Sequence, residues 1–391
     1  MNSTALELPP LSAYVHVPWC VRKCPYCDFN SHQASTGKVG DPLRLPEEEY
    51  LYAIADDLAK ELELVQGRQL QSVFFGGGTP SLLQPVVIEN IIDLLSHHVG
   101  LGQDCEITLE ANPGTFEAQK FAAYRQAGVN RLSIGVQSFD DLKLQALGRI
   151  HGSDEAVQAF HIARDAGFDN INLDLMFGLP GQSLAESQRD LHRAIELQPE
   201  HLSWYELTLE PNTEFYKRPP RLPVESTMNE INDKGIELLL SNGFQRYETS
   251  AFARDNKQCQ HNLNYWQFGD YLAIGPGAHG KTTGGGGIKR YSKTRAPQHY
   301  LAKQGTRRVG EQSIPPDQLA FEFLMNALRL IQGFPLQTML HRTGMNADQA
   351  RSVLAPLAAK NYLQISSKGH VAPTSLGVRY LNDCLVELLP G

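Results

Sequence analysis

The chain has 391 residues, 35 Lys and Arg against 43 Asp and Glu for a net charge of −8, and 41% hydrophobic residues. That composition fits a folded soluble protein with room for one large and one small domain, and the acidic balance excludes a nonspecific nucleic-acid binder, which needs a basic surface. No apolar run reaches the length of a membrane span, and the N-terminal MNSTALELPPLS lacks the basic and apolar blocks of a signal peptide, so a cytoplasmic protein without a transmembrane segment is expected.

A strand-like segment at Ala13–Val17 leads directly into the run YVHVPWCVRKCPYCDFNSH, in which Cys20, Cys24 and Cys27 are spaced C-x3-C-x2-C. Three thiolates so close together suit a [4Fe-4S] cluster that keeps one iron free for a substrate or cofactor, whereas paired cysteines suit zinc and four suit electron-transfer ferredoxins. A zinc loop completed by His16 or His32 is the competing reading. Cys105, Cys259 and Cys384 are scattered singly, which points to a reducing compartment rather than a disulfide framework.

Further strands are expected at Ser72–Phe75, Glu106–Leu109, Arg131–Val136, Asn170–Leu175 and His201–Leu207. Helical patterns alternate with them at Glu47–Val65, Val86–His97, Phe116–Ala127, Asp154–Ala166 and Leu184–Leu197. Six consecutive strand–helix units require a parallel sheet covered by helices. Polar groups recur at or just after the ends of successive strands: the cysteine loop, the triplet Gly76-Gly77-Gly78, Glu110, Gln137 and Asp174. Gathering one site from many strand ends is the habit of a barrel, so the α/β fold expected is a partial (β/α)6 barrel of the TIM type.

Beyond the sixth unit a helix is expected at Asn229–Leu240 and a strand at Tyr247–Phe252, followed by an aromatic and Gly-rich stretch, Gln260–Gly287. The run Gly284–Gly287 reads as a flexible or close-packed loop. From Lys281 to Gly310 eight cations occur with no acidic residue, which is either a solvated linker face or a site for a carboxylate- or phosphate-bearing ligand or for an acidic partner. Helices at Asp317–Ile331, Leu336–His341 and Ala347–Ala359, then short strands at Leu363–Ser366 and His370–Pro373 and a last helix, suggest a small winged-helix-like unit. Its lack of a basic recognition helix favours a lid or docking role over DNA binding. The division expected is 1–250 for the barrel core, 251–312 for a motif segment and basic linker, and 313–391 for the C-terminal domain.

The cysteine loop resembles that of the radical S-adenosylmethionine (SAM) superfamily, and GGGTP resembles the form found in its HemN-like, coproporphyrinogen dehydrogenase branch. The resemblance implies a cluster on Cys20, Cys24 and Cys27, with SAM chelating the open iron and cleaved there to a 5′-deoxyadenosyl radical. It carries SAM contacts over to Tyr14, Tyr26, Gly76, Gly77, Gly78, Glu110, Gln137, Arg149 and Asp174, with His279 and Thr208 as weaker placements. Members of this branch can hold two SAM molecules.

Two departures set the chain apart from the dehydrogenase: Phe29 stands where that enzyme has a fourth cysteine, and only about a dozen residues precede the first strand. His261-Asn262-Leu263-Asn264-Tyr265-Trp266 instead resembles the H-N-x-x-Y-W motif of the HemW family of heme chaperones. That likeness implies heme bound by His261, Asn262, Tyr265 and Trp266, and places no coproporphyrinogen dehydrogenase activity on the chain. It also implies heme-accepting apoproteins as partners, membrane respiratory proteins among them, and an electron donor. Cys259, two residues before His261, is read as an inert thiol, with an extra ligand as the alternative.

Overall fold

The computed structural model describes residues 6–34 and 44–389, so the first five positions of the stretch read for a signal peptide lie outside it. Six parallel strands, β1 (Leu11–Val17), β2 (Leu70–Gly77), β3 (Leu101–Ala111), β4 (Arg131–Gln137), β5 (Ile171–Phe177) and β6 (His201–Glu206), lie side by side in chain order. Helices α1 (Glu47–Glu61), α2 (Pro85–His98), α3 (Phe121–Gln126), α4 (Ser153–Asp165) and α5 (Leu184–Glu196) make the crossovers. Alternation divides each strand between two faces. Val73 and Phe75 on β2, Leu132, Ile134 and Val136 on β4, and Leu173 and Leu175 on β5 are buried in the core under the helices. The intervening Ser133, Gly135, Gln137 and Asp174 face a hollow on the opposite side.

The expected helix Phe116–Ala127 is broken. A single turn (Thr115–Ala118) precedes α3, and at the break the Lys120 N–H bonds to the Glu117 carbonyl three residues back while its amine reaches the carbonyls of Ser81 and Leu82. A short helix, Asp141–Ala146, capped by Asp140, had no counterpart in the sequence reading.

After α6 (Glu225–Ser241), the single strand expected at Tyr247–Phe252 is instead a hairpin. Gln245–Arg246 and β7 (Ala251–Ala253) pair antiparallel, and the Glu248 carboxylate accepts the Ser250 N–H in the turn. Helix α7 (Gln260–Trp266) packs across β1 and β2, and β8 (Asp270–Ile274) then joins the free edge of β1 in parallel. The remainder of the basic run is not a linker. It forms β9 (His279–Gly284), β10 (Gly287–Lys293) and β11 (Arg308–Ser313), which extend the same sheet antiparallel to twelve strands. Gly284 and Gly287 pair across the β9–β10 turn, Gly287 has φ of +98°, and a Cβ on Gly285, Gly286 or Gly287 would meet nothing. This run is an open turn that needs positive φ, not a close-packed loop.

The C-terminal unit has its own core of Phe323, Leu324, Met339, Leu354, Leu357 and Val371. Helices α8 (Leu319–Ala327), α9 (Leu336–Thr343) and α10 (Ala347–Ala359) precede the wing, where β12 (Leu363–Ile365) and β13 (His370–Pro373) pair, with Phe334–Pro335 as a third strand. No helix among the described residues is long and apolar enough to cross a membrane.

Candidate functional site

The cysteine loop is folded back by a two-residue clip in which Trp19–Cys20 pairs with His32–Gln33. Asn30 anchors it across the barrel mouth. Its amide donates to the carbonyls of Pro276 and Arg295, both at 2.9 Å, while its own carbonyl meets His16 Nε2 at 3.0 Å. All three thiols face one cavity of about 410 Å³, within the range of small-molecule sites. Burial holds the Cys20 and Cys27 thiols above their usual range, so metal uptake here displaces protons.

The zinc reading fits poorly. His16 is committed at both ring nitrogens, to Tyr14 and to Asn30, and His32 bonds the Asn30 side chain at 3.2 Å. Among the described residues no three His, Cys, Asp or Glu side chains surround a point where a single ion would sit. A cluster asks less of this loop, because each thiolate binds a different iron.

The glycine triplet has a packing cause that the sequence did not reveal. A Cβ on Gly76 would lie 3.0 Å from the Tyr14 and Phe74 rings, and on Gly78 it would lie 2.5 Å from the Trp19 carbonyl oxygen. Gly77, at φ +113°, would strike the His16 ring at 2.4 Å. The triplet thus lets the root of the cysteine loop lie against β2, and Thr79 N–H closes the contact on the Trp19 carbonyl at 2.7 Å. Gly77 and Gly78 still line the cavity; Gly76 and Tyr14 stand behind it.

Glu110, Gln137, Arg149, Asp174, Tyr26 and Thr208 all line the cavity with the thiols. Glu110 accepts the Gly77 N–H at 3.1 Å, and burial, with the Asp174 charge second, pushes its carboxyl up to about 8. Asp174 accepts from Ser133 and Asn172, and burial raises it also. Gln137 has φ of +70°, a left-handed backbone that strains a residue with a Cβ, and its side-chain oxygen accepts the Tyr205 hydroxyl at 2.9 Å. Arg149 donates to Asn112 and to the Gly135 carbonyl at 2.7 Å each, and stands 3.8 Å from Cys24 Sγ.

Sequence reasoning missed Asn112, which ties Arg149 to Thr79, and the inward Ser133, Ser203 and Tyr205. It also missed buried Asp190, pushed up to about 6 by burial, which accepts the Phe139 N–H and the Ser138 hydroxyl and so holds the loop after Gln137. A signal existed for the strand residues: each polar group occupies the second phase of an otherwise apolar strand.

The HNLNYW segment forms α7, and its residues part company. Asn262 and Trp266 line the thiol cavity. The Trp266 Nε1 is buried without a hydrogen-bond partner among the described residues, and the ring lies 4.4 Å from the Arg329 guanidinium. His261 is inside the core, stacked 5.0 Å from Phe74, with Nδ1 on Ser72 and Nε2 on the Tyr265 hydroxyl, each at 3.0 Å. Burial takes its pKa down to about 3. The α7 N-terminus is fixed by Glu106, whose carboxylate accepts from Gln260 N–H, His261 N–H and the Cys259 thiol. That buried thiol, pushed up to about 12, is an anchor and not a poised ligand.

Most of the basic run is neutralised internally. Lys293 is fully buried between Asp57 at 2.6 Å and Glu61 at 2.5 Å, and Lys281 bonds Asp270 at 3.0 Å. Arg307 pairs with Asp56, Arg308 with Glu61, Lys289 with Glu311 and Arg290 with Glu322. Neither a solvated linker nor a broad anion site describes it.

Residues 14–194 match the Radical SAM superfamily and residues 314–380 the HemN C-terminal domain. Heme chaperone HemW of Escherichia coli (strain K12) is 49% identical to the chain, covering 92% of it and 93% of its own length. Heme chaperone HemW of Bacillus subtilis (strain 168) is 33% identical, covering 91% and 93%. Among solved structures, coproporphyrinogen III oxidase (HemN) from Escherichia coli, described as a radical SAM enzyme, superposes with a TM-score of 0.78 over 97% of the chain and 90% of its own, at 23% identity. At that identity the likeness speaks for the fold.

Proposed function

The chain belongs to the HemW family of the radical SAM superfamily, and on that premise we propose that it is a cytoplasmic heme chaperone, binding heme and passing it to acceptor proteins. Cys20, Cys24 and Cys27 would hold a [4Fe-4S] cluster, and Glu110, Gln137, Arg149 and Asp174 would line the place for SAM. When bound, the cluster supplies an iron with an open coordination position and a reversible electron, drawn from a donor protein. The chain's own part is to bind and orient: Glu110 offers an acceptor that can gain a charge, Gln137 is held ready by Tyr205, and Arg149 fixes the loop beside Cys24.

One observation carries this reading. Asn262 and Trp266 of the H-N-x-x-Y-W motif line the same cavity as the three thiols, so the motif and the cluster loop meet in one place. Phe29, in place of a fourth cysteine, is 57% exposed on the wall of that cavity, an apolar surface rather than a ligand. The test is anaerobic reconstitution followed by heme titration and a parallel incubation with coproporphyrinogen III, SAM and reductant. Stoichiometric heme uptake without protoporphyrinogen supports the chaperone; protoporphyrinogen above background supports a dehydrogenase.

A further inference from the structure

A second cavity, of about 370 Å³, lies beside the first, and Asp28 and Phe29 of the cysteine loop belong to the walls of both. Tyr14, Tyr265 and Tyr271 make it aromatic, and His279 and Arg295 bring an imidazole and a guanidinium to it. Three observations single it out. First, His261, the histidine of the motif, has both ring nitrogens bonded in the core, so neither is free for a metal. Second, His279 is exposed at the cavity, and its ring makes no hydrogen bond among the described residues. Third, six of the eight cations in the basic run are paired with acids, whereas Arg295 is exposed and has no acidic partner among the described residues.

We propose that heme is seated in this second cavity, with His279 as axial ligand to the iron and Arg295 paired with a propionate at the mouth. The inference rests on the heme-chaperone reading. Tyr14, Tyr265, Tyr271 and Phe29 put aromatic rings on its wall, the side chains a porphyrin packs against, and a histidine imidazole is the usual proximal ligand of such an iron. His261 is then a positioning residue: its bond to the Tyr265 hydroxyl fixes the ring that walls the cavity. The motif and the heme site are thereby joined without His261 touching iron.

The experiment is an anaerobic titration of the full-length, reconstituted protein with heme, followed by its Soret band and by resonance Raman of the ferrous iron–histidine stretch. Wild type, His279→Ala, Arg295→Gln and His192→Ala, an exposed control, are compared. Wild type and His192→Ala should share a histidine-ligated spectrum. His279→Ala should lose the iron–histidine band and bind at least about tenfold more weakly, with added imidazole restoring the spectrum and so showing the cavity intact. Arg295→Gln should weaken binding more at low salt than at high salt, as a partly screened ion pair would. If wild type binds heme and His279→Ala keeps the same spectrum and affinity, the assignment of the ligand is wrong while the chaperone reading stands. If wild type takes up no heme, both fall.

Discussion

Glu110 makes the affinity for SAM depend on pH in a direction that can be worked out beforehand. Burial, aided by the charge of Asp174, raises its carboxyl from the ordinary 4.5 to about 8, and only the Gly77 N–H and distant Arg131 oppose this. At pH 7 the side chain is therefore about nine-tenths protonated before any ligand arrives. SAM is a sulfonium cation with hydroxyl and amine donors, and it favours the ionised carboxylate, so binding releases a proton and strengthens as pH rises. With the folded value at about 8, the dissociation constant should fall by roughly one to two orders of magnitude between pH 6 and pH 9. Isothermal titration calorimetry in buffers of different ionisation enthalpy should count more protons released per SAM at pH 7 by wild type than by Glu110→Gln. Glu110→Gln keeps an acceptor for the Gly77 N–H but cannot ionise; it should show no such slope and bind more weakly than wild type at pH 9. A flat profile in wild type, or the same slope in both proteins, refutes the role given to Glu110.

The same shift acts on stability: because the folded carboxyl titrates above the unfolded one, ligand-free protein should lose stability as pH rises from 4.5 to 8, and denaturant midpoints of Glu110→Gln should lack that component. Cys24→Ala should lose most of its iron and sulfide after reconstitution; a full complement with an unchanged paramagnetic resonance signal would sink the cluster assignment. Lys293→Met should cost about 3–5 kcal/mol in chemical denaturation by stranding Asp57 and Glu61, yet leave heme affinity unaltered, since the lysine is fully buried. At Gln137, where φ is +70°, the Gly variant should melt above the Ala variant, by about 1–2 kcal/mol of relieved backbone strain; equal melting would mean the turn relaxes.

What the sequence disclosed was local. Leu132, Ile134 and Val136 alternate with Ser133, Gly135 and Gln137, so strand, phase and strand-end site could all be read in one stretch. The three cysteines share one cavity with Glu110 and Gln137 at strand ends, as that reading expects, and with Asp174, which lies in the middle of β5 rather than at its end. What stayed hidden depended on distant partners. Lys281 and Lys293 look like solvent-facing charges until Asp270, Asp57 and Glu61 are placed beside them, the last two lying 236 and 232 positions away from Lys293 in the chain. For that reason the strands β9 to β11 passed for a linker. His261 likewise looks like an available ligand until Ser72, 189 positions earlier, and Tyr265 occupy its nitrogens. The glycine triplet suggested a ligand approaching the backbone, whereas its tightest demands come from Tyr14, His16 and Trp19.

Heme transfer is the central claim, and it can be watched directly. Heme-loaded protein, with its cluster reconstituted and excess heme removed, is mixed under anaerobic conditions with an apo-heme protein that has a distinct Soret spectrum. Both are then separated and assayed for heme. A chaperone should give up close to one heme per chain to the acceptor, faster than the acceptor gains it by spontaneous release into buffer containing a heme scavenger. Heme that stays with the donor, or that reaches the acceptor only at the rate at which the scavenger captures it, would contradict the account.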